Sequence, residues 1–579
     1  MLGTFRLENY KAFRTATLEL KPITILLGSN GVGKTSIIRF LMMMHQTSQY
    51  FSAAPHSPLV INGDFAEMGE ARKLIRQYNS RHEWSFSVDL PYKRFREVTA
   101  GLEEMVIESI SQSTERTAFY IDAASRKQDV ERLSSATPLF RAIREKFVHH
   151  RQQRSKGFAG LDEIADLYEQ LLDLADALGD SFSEASSSHD ELTLLDYNWT
   201  RGNMRRRLGG FTHGQPLTRT ELGGLRRFLK SVDSLGSTDV SLRLSLRLTG
   251  DQKGFYIRMV SVRQGSETIL EIGLNAFGDV TKISSDLVPD SMIDKYHQSL
   301  SRAFQPKRSL FQWIDPSSVP DSFTAFVLAS FLSGIVRLCE RDIDDADFYH
   351  IAPIRPFLER YISSHHRSRD ALTVQGARLI DRLSDKEVRK SVDRWFREFD
   401  IAFEVKEITE LLKELVTIQR RGKVQLSIND VGFGYSQVLP IIIEGTSRPE
   451  NSLTMIEQPE VHLHPKMQAK LADFFIEASG VSPVMQLDGK KRFFLIETHS
   501  ENILKRLRRR IAEGALSNAD IAVYFLEDAP AGNTVRKVAV EADGDIDWPK
   551  DFYATDLEDT AAFFRATIGK SLRRPAHEE

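Results

Sequence analysis

Apolar and polar positions follow two different periods along this 579-residue chain, and the switches between them mark its elements. Residues 1–27 read as strands. Phe5, Leu7 and Tyr10 are followed by Leu18 and Leu20, then by the short apolar run Ile23-Thr24-Ile25-Leu26-Leu27, as a buried parallel strand requires. A glycine-rich turn separates this run from SIIRFLMMMHQ, whose composition predicts a helix. Residues 58–90 predict a second strand-and-turn region that ends in the alternating stretch Trp84-Ser85-Phe86-Ser87-Val88. Residues 100–232 predict mainly helices. In LDEIADLYEQLLDLADALG (161–179) apolar residues recur at helical spacing and stop at a glycine, while SEASSSHDE and RLGGFTHGQP are loop signals. VSLRLSLRL, GFYIRMVSV and ETILEIGLNAF alternate as strands within 239–281. Helices return over 295–400, and the remaining residues alternate between strands and helices.

This order predicts one α/β domain whose two ends come together around a large, mainly helical insertion. We divide the chain into an N-terminal part (1–94), a mainly helical insertion (95–235), a β-rich segment (236–290), a mainly helical lobe (291–420), a C-terminal part of the first domain (421–527) and a small C-terminal segment (528–579). With 41% hydrophobic and 27% charged residues the chain is expected to fold throughout. A formal net charge of -3 gives no overall attraction to nucleic acid, which leaves only local basic patches to argue for it. The single cysteine, Cys339, rules out an internal disulfide and a cysteine metal cluster, and fits a reducing cytoplasm. MLGTFRLENYKAF lacks the apolar core of a signal peptide. The most apolar stretch, Phe323 to Val336, is shorter than the roughly 20 residues a membrane span needs, so it is expected to be a buried helix and no membrane partner is expected.

Four segments carry chemistry. Gly28-Ser29-Asn30-Gly31-Val32-Gly33-Lys34-Thr35 is a full G-x-x-x-x-G-K-[ST] match between an expected strand and an expected helix that continues with Ser36. Its glycines allow a tight loop whose amides face phosphate oxygens, and the helix N-terminus adds positive potential. In that arrangement Lys34 reaches the β- and γ-phosphates of ATP, and the Thr35 hydroxyl faces Mg2+. Leu453-Thr454-Met455-Ile456-Glu457-Gln458-Pro459-Glu460 is a strand ending in acids, where P-loop proteins hold Mg2+; Glu457 takes that role. Phe493–Ile496 is a strand that delivers Glu497-Thr498-His499-Ser500 at its C-terminal end, and His499 is placed to meet a γ-phosphate. Val431-Gly432-Phe433-Gly434-Tyr435-Ser436 precedes an apolar helix start, which is again anion-binding chemistry, or simply a glycine-rich turn.

Taken in order, these segments resemble an ABC-type ATPase head, and more closely the OLD-like group of AAA-family ATPases, whose heads are similar to those of SMC and RecF proteins. LENYKAFRTATLEL with ITILLGSNGVGKTSII resembles that group's start, VGFGYSQVLPIIIE its signature segment, MIEQPEVHLHP its Walker B strand and D-loop, and LIETHSENIL its switch-histidine segment. LVINGDFAEMG, FYHIAPIRPFLERYI, SVDRWFREFDIAFEVKEI and the tail GDIDWPKDFY resemble one bacterial branch with a small C-terminal domain of unassigned function. The resemblance implies that Ser436 of one subunit contacts the γ-phosphate held by another, so that ATP is sandwiched in a homodimer or a larger homo-oligomer. It also implies a role in bacterial anti-phage defence, with an effector nuclease or toxin as partner, or else a DNA-repair role acting directly on DNA, or a scaffold that binds ATP without hydrolysing it.

The chain departs from the pattern at Gln458, where such heads carry the acid that activates the attacking water. A glutamine orients water but does not take its proton as a carboxylate does, so slow hydrolysis is expected, with Glu460 or Glu497 as alternative bases. Asp543-Gly544-Asp545 has the spacing of a nuclease metal pair but lacks the preceding strand-borne glutamate. His462 and His464 fit a D-loop better than a metal site. Basic clusters at Arg141–Lys156, Arg205–Arg207 and Lys505–Arg510 are either solvated helix faces or contacts for a DNA backbone.

Overall fold

The computed structural model describes residues 3–50, 57–79, 81–125, a few positions between 138 and 170, 219–319, 322–353, 355, 361–363, 381–409, 412–419, 424–485, 487–547 and 561–567. Its strands in chain order are β1 (Thr4–Tyr10), β2 (Phe13–Glu19), β3 (Ile23–Gly28), β4 (Trp84–Leu90), β5 (Val240–Leu248), β6 (Phe255–Gln264), β7 (Glu267–Leu274), β8 (Val280–Ser284), β9 (Tyr349–Ile351), β10 (Tyr361–Ser363), β11 (Ile401–Thr409), β12 (Leu412–Gln419), β13 (Gln425–Ser427), β14 (Leu453–Glu457), β15 (Phe493–Glu497), β16 (Ile521–Glu527) and β17 (Asn533–Val538). The helices that matter to the site are α1 (Lys34–Ser48), α2 (Tyr92–Ser125), α3 (Phe323–Asp345), α4 (Phe433–Ser447), α5 (Pro465–Ser479) and α6 (Glu501–Ala512).

Thirteen strands form one sheet, in the order β8-β7-β6-β5-β4-β1-β2-β17-β16-β3-β15-β14-β9. One end of the sheet is parallel: β9, β14, β15, β3 and β16 run the same way. The other end is antiparallel, from β2 and β1 through β4 to β8. Each end has the residue pattern its pairing demands. All six positions of β3 and all five of β14 are buried, as strands covered on both faces must be. In β5, Leu242, Leu244, Leu246 and Leu248 turn inward while Arg243 and Arg247 turn outward.

The sheet separates two apolar layers, and single strands feed both. Ile23, Ile25 and Leu27 of β3 pack into one cluster with α5 and α6, whereas Leu26 joins the opposite cluster with α1 and α3. Each fully buried Ile or Leu contributes about 1.5–3 kcal/mol, so the strand that carries the P-loop is fixed from both sides. α3 contains the apolar stretch Phe323–Val336; it is capped by the Ser322 hydroxyl, which accepts from the Ala325 amide at 3.2 Å, and its apolar residues lie in the core. It is long and apolar enough to cross a membrane by length and composition, yet its side chains are buried against α1 and α2.

The architecture is thus α/β and split, but three of the expected segments are drawn differently in space. The β-rich segment 236–290 is no separate unit, because β5 pairs with β4 and continues the main sheet. The boundary at 528 cuts the β16–β17 hairpin, and β17 is an inner strand between β16 and β2. The lobe 291–420, expected to be mainly helical, holds β9 to β12, of which β10, β11 and β12 form a small second sheet with β13. A three-residue edge strand such as β9 is too short to show a period. Most of the insertion 95–235, with the basic clusters at 141–156 and 205–207, lies outside the described residues, apart from α2, a helix at 219–234 and a few positions between them.

Candidate functional site

The C-terminal ends of β3, β14 and β15 lie side by side, with Glu457 in register with Glu497 and Glu497 in register with Leu26. The expected loop Gly28–Thr35 leaves β3 here and enters α1 at Lys34. Gly28 has φ +139°, and a Cβ on it would meet the Leu526 carbonyl at 2.5 Å; only glycine fits between β3 and β16. Asn533 of β17 braces the loop by donating to the Val32 carbonyl at 3.0 Å.

Lys34 is only 3% exposed. Its ammonium donates to the carbonyls of Gly28 at 3.0 Å and Ser29 at 2.9 Å, and lies 3.9 Å from Glu497 Oε1. Burial pushes its pKa down, against the pull of Glu497 and Glu460. Thr35 Oγ1 donates to Glu497 Oε2 at 3.0 Å. Burial, with Glu457 close by, raises the Glu497 carboxyl above the ordinary range. Glu457 faces the other way: its Oε1 is 2.7 Å from His350 Nε2 on β9.

Gln458 holds a left-handed backbone, φ +44°. Its amide donates to the Glu497 carbonyl at 2.7 Å, so the turn is tied to β15. Arg355 ties it from the far side, its Nη2 donating to the Glu457 carbonyl at 3.0 Å and the Gln458 carbonyl at 3.3 Å. Arg355 is 4% exposed, its Nε and Nη1 have no hydrogen-bond partner, and burial pushes its pKa down to about 10. Glu460 accepts from the Thr498 hydroxyl at 2.7 Å and from the His499 amide at 2.6 Å, which locks the D-loop to the switch segment. The His499 side chain is exposed at the rim; desolvation by its surroundings and then the charge of Lys34 hold its imidazole below the usual histidine range.

The signature segment reaches this cluster through α4. Ser436 is buried at 4% exposure, while Gly432 at the helix start is exposed. A Cβ on Gly434 would meet the His462 carbonyl at 2.8 Å, so the signature helix packs directly on the D-loop. The next residue, Gln437, donates from Nε2 to the Arg355 carbonyl at 3.4 Å. His464 caps α5, its Nδ1 accepting from the Lys466 amide at 3.2 Å.

The P-loop, Glu457, Gln458, Glu460, Glu497 and His499 therefore meet at the C-terminal ends of the inner parallel strands β3, β15 and β14. Sequence reasoning passed over His350 and Arg355, which stood in the quoted segment FYHIAPIRPFLERYI without a role; the proline-flanked short strand was their only local signal. Asn533 and the facing of Glu497 toward Thr35 carried no signal. An all-oxygen set of one hydroxyl and two adjoining carboxylates suits Mg2+, which takes one or two carboxylates and fills its shell with phosphate oxygens and water. Among the described residues no group of three His, Cys, Asp or Glu forms a self-sufficient metal cage.

Two other candidates resolve as structure. Asp543-Gly544-Asp545 is a hairpin turn, with Gly544 at φ +83° and Asp545 paired to Arg508 at 2.9 Å. The cluster Lys505–Arg510 is neutralised within the chain: Lys505 pairs with Glu501, Arg506 and Arg510 with the fully buried Asp473, Arg508 with Asp545 and Arg509 with Glu513.

No curated protein matches the chain. Among solved structures, the chain is similar to the SMC head domain from Thermotoga maritima, at 8% identity and a TM-score of 0.30 over 93% of this chain and 99% of that one. It is similar at the same identity and TM-score to the Smc head domain of Pyrococcus furiosus bound to the C-terminal domain of ScpA, over 93% of this chain and 96% of that one. The family model of the AAA ATPase domain matches residues 1–155 and 358–504, just over half of the chain, with a break over 156–357 that starts inside the expected insertion and runs past it through β5 to β9. The chain belongs to the AAA ATPase domain family.

Proposed function

We propose that this protein is an ATP-dependent molecular switch: an ABC-type ATPase that binds ATP with Mg2+ at Gly28–Ser36, hydrolyses it slowly and closes as a homodimer with nucleotide between its heads. The observation that carries the reading is the buried glutamate at the end of β15 that meets both Lys34 and Thr35, with a second buried glutamate in register at the end of the adjacent parallel strand β14. Lys34 and the loop amides bind phosphate, Thr35 meets the cation with the strand-end glutamates acting directly or through water, and His499 faces the terminal phosphate from the rim. Mg2+, when bound, offsets phosphate charge and polarises the terminal phosphoryl group.

Slow turnover follows from Gln458, which positions water through its carboxamide but takes no proton. Closure follows from α4, whose start at Gly432 is exposed and offers an anion-binding surface to a second head, while Gly434 packs on the D-loop. ATP stabilises the closed dimer only as far as it binds that form better. An anti-phage setting, with an effector nuclease or toxin as partner, rests on the resemblance to OLD-like proteins. Steady-state phosphate release and mass measurement with and without ATP test the switch. Release well above about one per second per head would refute slow turnover. Lys34→Ala is expected to abolish both hydrolysis and any ATP-dependent increase in mass.

A further inference from the structure

The two strand-end glutamates are not equivalent. β15 lies between β3 and β14, so Glu497 is the acid next to the P-loop strand and Glu457 is one strand further out. Their side chains diverge accordingly. Glu497 spans the first turn of α1, with Oε2 accepting from Thr35 Oγ1 at 3.0 Å and Oε1 lying 3.9 Å from Lys34 Nζ. Glu457 is drawn outward, its Oε1 held at 2.7 Å by His350 Nε2 on the edge strand β9. Both are buried, at 5% and 6% exposure.

We infer that Glu497, with Thr35, is the inner protein ligand pair for the divalent cation that accompanies the triphosphate, and that Glu457, oriented by His350, acts on that cation only from the outer shell. The inference rests on the reading of Gly28–Ser36 as an ATP site. The chemistry fits a hard cation of the Mg2+ class: one hydroxyl and one carboxylate face each other within hydrogen-bond distance, which leaves the other coordination positions to phosphate oxygens and water. The assignment moves the acid that contacts the metal from the Walker B strand to the strand beside it. It also explains the hydrogen bond from Thr35, the residue whose hydroxyl faces the metal in this loop type, to Glu497 rather than to Glu457.

The test is calorimetric binding of ATP to the full chain, with Mg2+ and with EDTA, for wild type, Glu497→Gln and Glu457→Gln. Mn2+ binding in the presence of ATP, followed by water-proton relaxation, is a second readout independent of turnover. Wild type is expected to bind ATP more tightly with Mg2+ than with EDTA. Glu497→Gln is expected to lose that gain by tenfold or more and to weaken Mn2+ binding equally, while ATP binding in EDTA is kept. Glu457→Gln is expected to keep the gain within threefold. A Glu497→Gln protein with wild-type Mg2+ dependence, or a larger loss in Glu457→Gln, overturns the assignment. If Glu497→Gln does not fold, Glu497→Asp and Glu457→Asp decide the matter: a larger shift in Mg2+ dependence for the former supports the assignment, and an equal or smaller one overturns it. Failure of wild type to bind ATP in either condition would instead strike the ATP-site reading itself.

Discussion

Arg355 is the sharpest place to perturb the site without touching the P-loop. Its Nη2 bridges the Glu457 and Gln458 carbonyls at 3.0 and 3.3 Å, and it is buried with two further nitrogens unpartnered. Arg355→Met keeps much of the volume and removes the charge. The Glu457 carbonyl then loses a donor, at about 1–3 kcal/mol if left unsatisfied, while the Gln458 carbonyl keeps the Val461 amide at 3.3 Å. Against that, the variant relieves a buried cation whose pKa is already pushed down to about 10, a desolvation penalty of a few kcal/mol. The opposing terms are similar in size, so the net stability change is expected to be small, about 1–2 kcal/mol by denaturant unfolding. The site should change more. Gln458 sits at φ +44°, a backbone conformation that costs a non-glycine residue about 1–2 kcal/mol, and Arg355 is one of three ties on that turn, beside the Gln458 amide on the Glu497 carbonyl and the Val461 amide on the Gln458 carbonyl. If the turn relaxes, the loss of about 1.4 kcal/mol of positioning is tenfold in rate. Turnover is therefore expected to fall about tenfold while ATP affinity in EDTA is unchanged, because Lys34 and the loop amides are untouched. Arg355→Lys should not restore the rate, since an ammonium lacks the planar fork that spans two carbonyls. Wild-type turnover in Arg355→Met would refute the positioning argument; lost affinity at full stability would place Arg355 on the nucleotide instead.

Two further predictions concern the frame. Asp473→Ala leaves Arg506 and Arg510 without their shared buried carboxylate; a broken buried pair costs about 3–5 kcal/mol, here reduced to about 2–3 because both arginines are partly exposed and Arg510 keeps Glu513. Denaturant midpoints check this, and a change under about 1 kcal/mol would show that the network is dispensable. His45 on α1 packs between Phe65 and Phe348, and burial holds its pKa below 6.5 in the folded protein. The unfolded chain therefore binds the proton first, so this residue's contribution to stability is lost as pH falls below about 6.5. His45→Phe should lose less stability between pH 7.5 and 5 than wild type, and an equal loss would refute the assignment.

What was legible in the sequence follows from how local each signal is. The strand before Gly28, the loop and the helix after it are one continuous pattern, and the burial of β3 and β14 follows from their runs of apolar residues. β5 and β6 were readable from alternation, but their membership of the main sheet was not, because the pairing of β4 with β5 joins residues about 150 positions apart. The basic run Lys505–Arg510 reads in sequence either as a solvated helix face or as a contact for a DNA backbone. Its neutralisation depends on Asp473, one α5 residue buried beneath α6, and no spacing rule links the two. Arg355 and His350 failed to register for the same reason: each acts on a strand more than 100 residues later in the chain.

The glutamine at 458 takes a different meaning once the carboxylates around it are counted. Glu460 and Glu497 already act on Lys34, Glu457 stands beside Glu497, and Arg355 is close to Glu460; burial and then the Glu457 charge raise the Glu497 carboxyl. A fourth carboxylate at 458 would stand on a turn whose amide is bonded to the Glu497 carbonyl, in a pocket with few cations to balance it. The neutral carboxamide is what such a pocket tolerates without a cation already bound. An acid on the middle strand, facing Thr35, and an amide on the turn keep the negative charge where a cation would sit and remove it from where an attacking water would lose its proton. On the proposed reading of the site, that distribution would favour holding nucleotide over consuming it, which is the property the proposed switch needs.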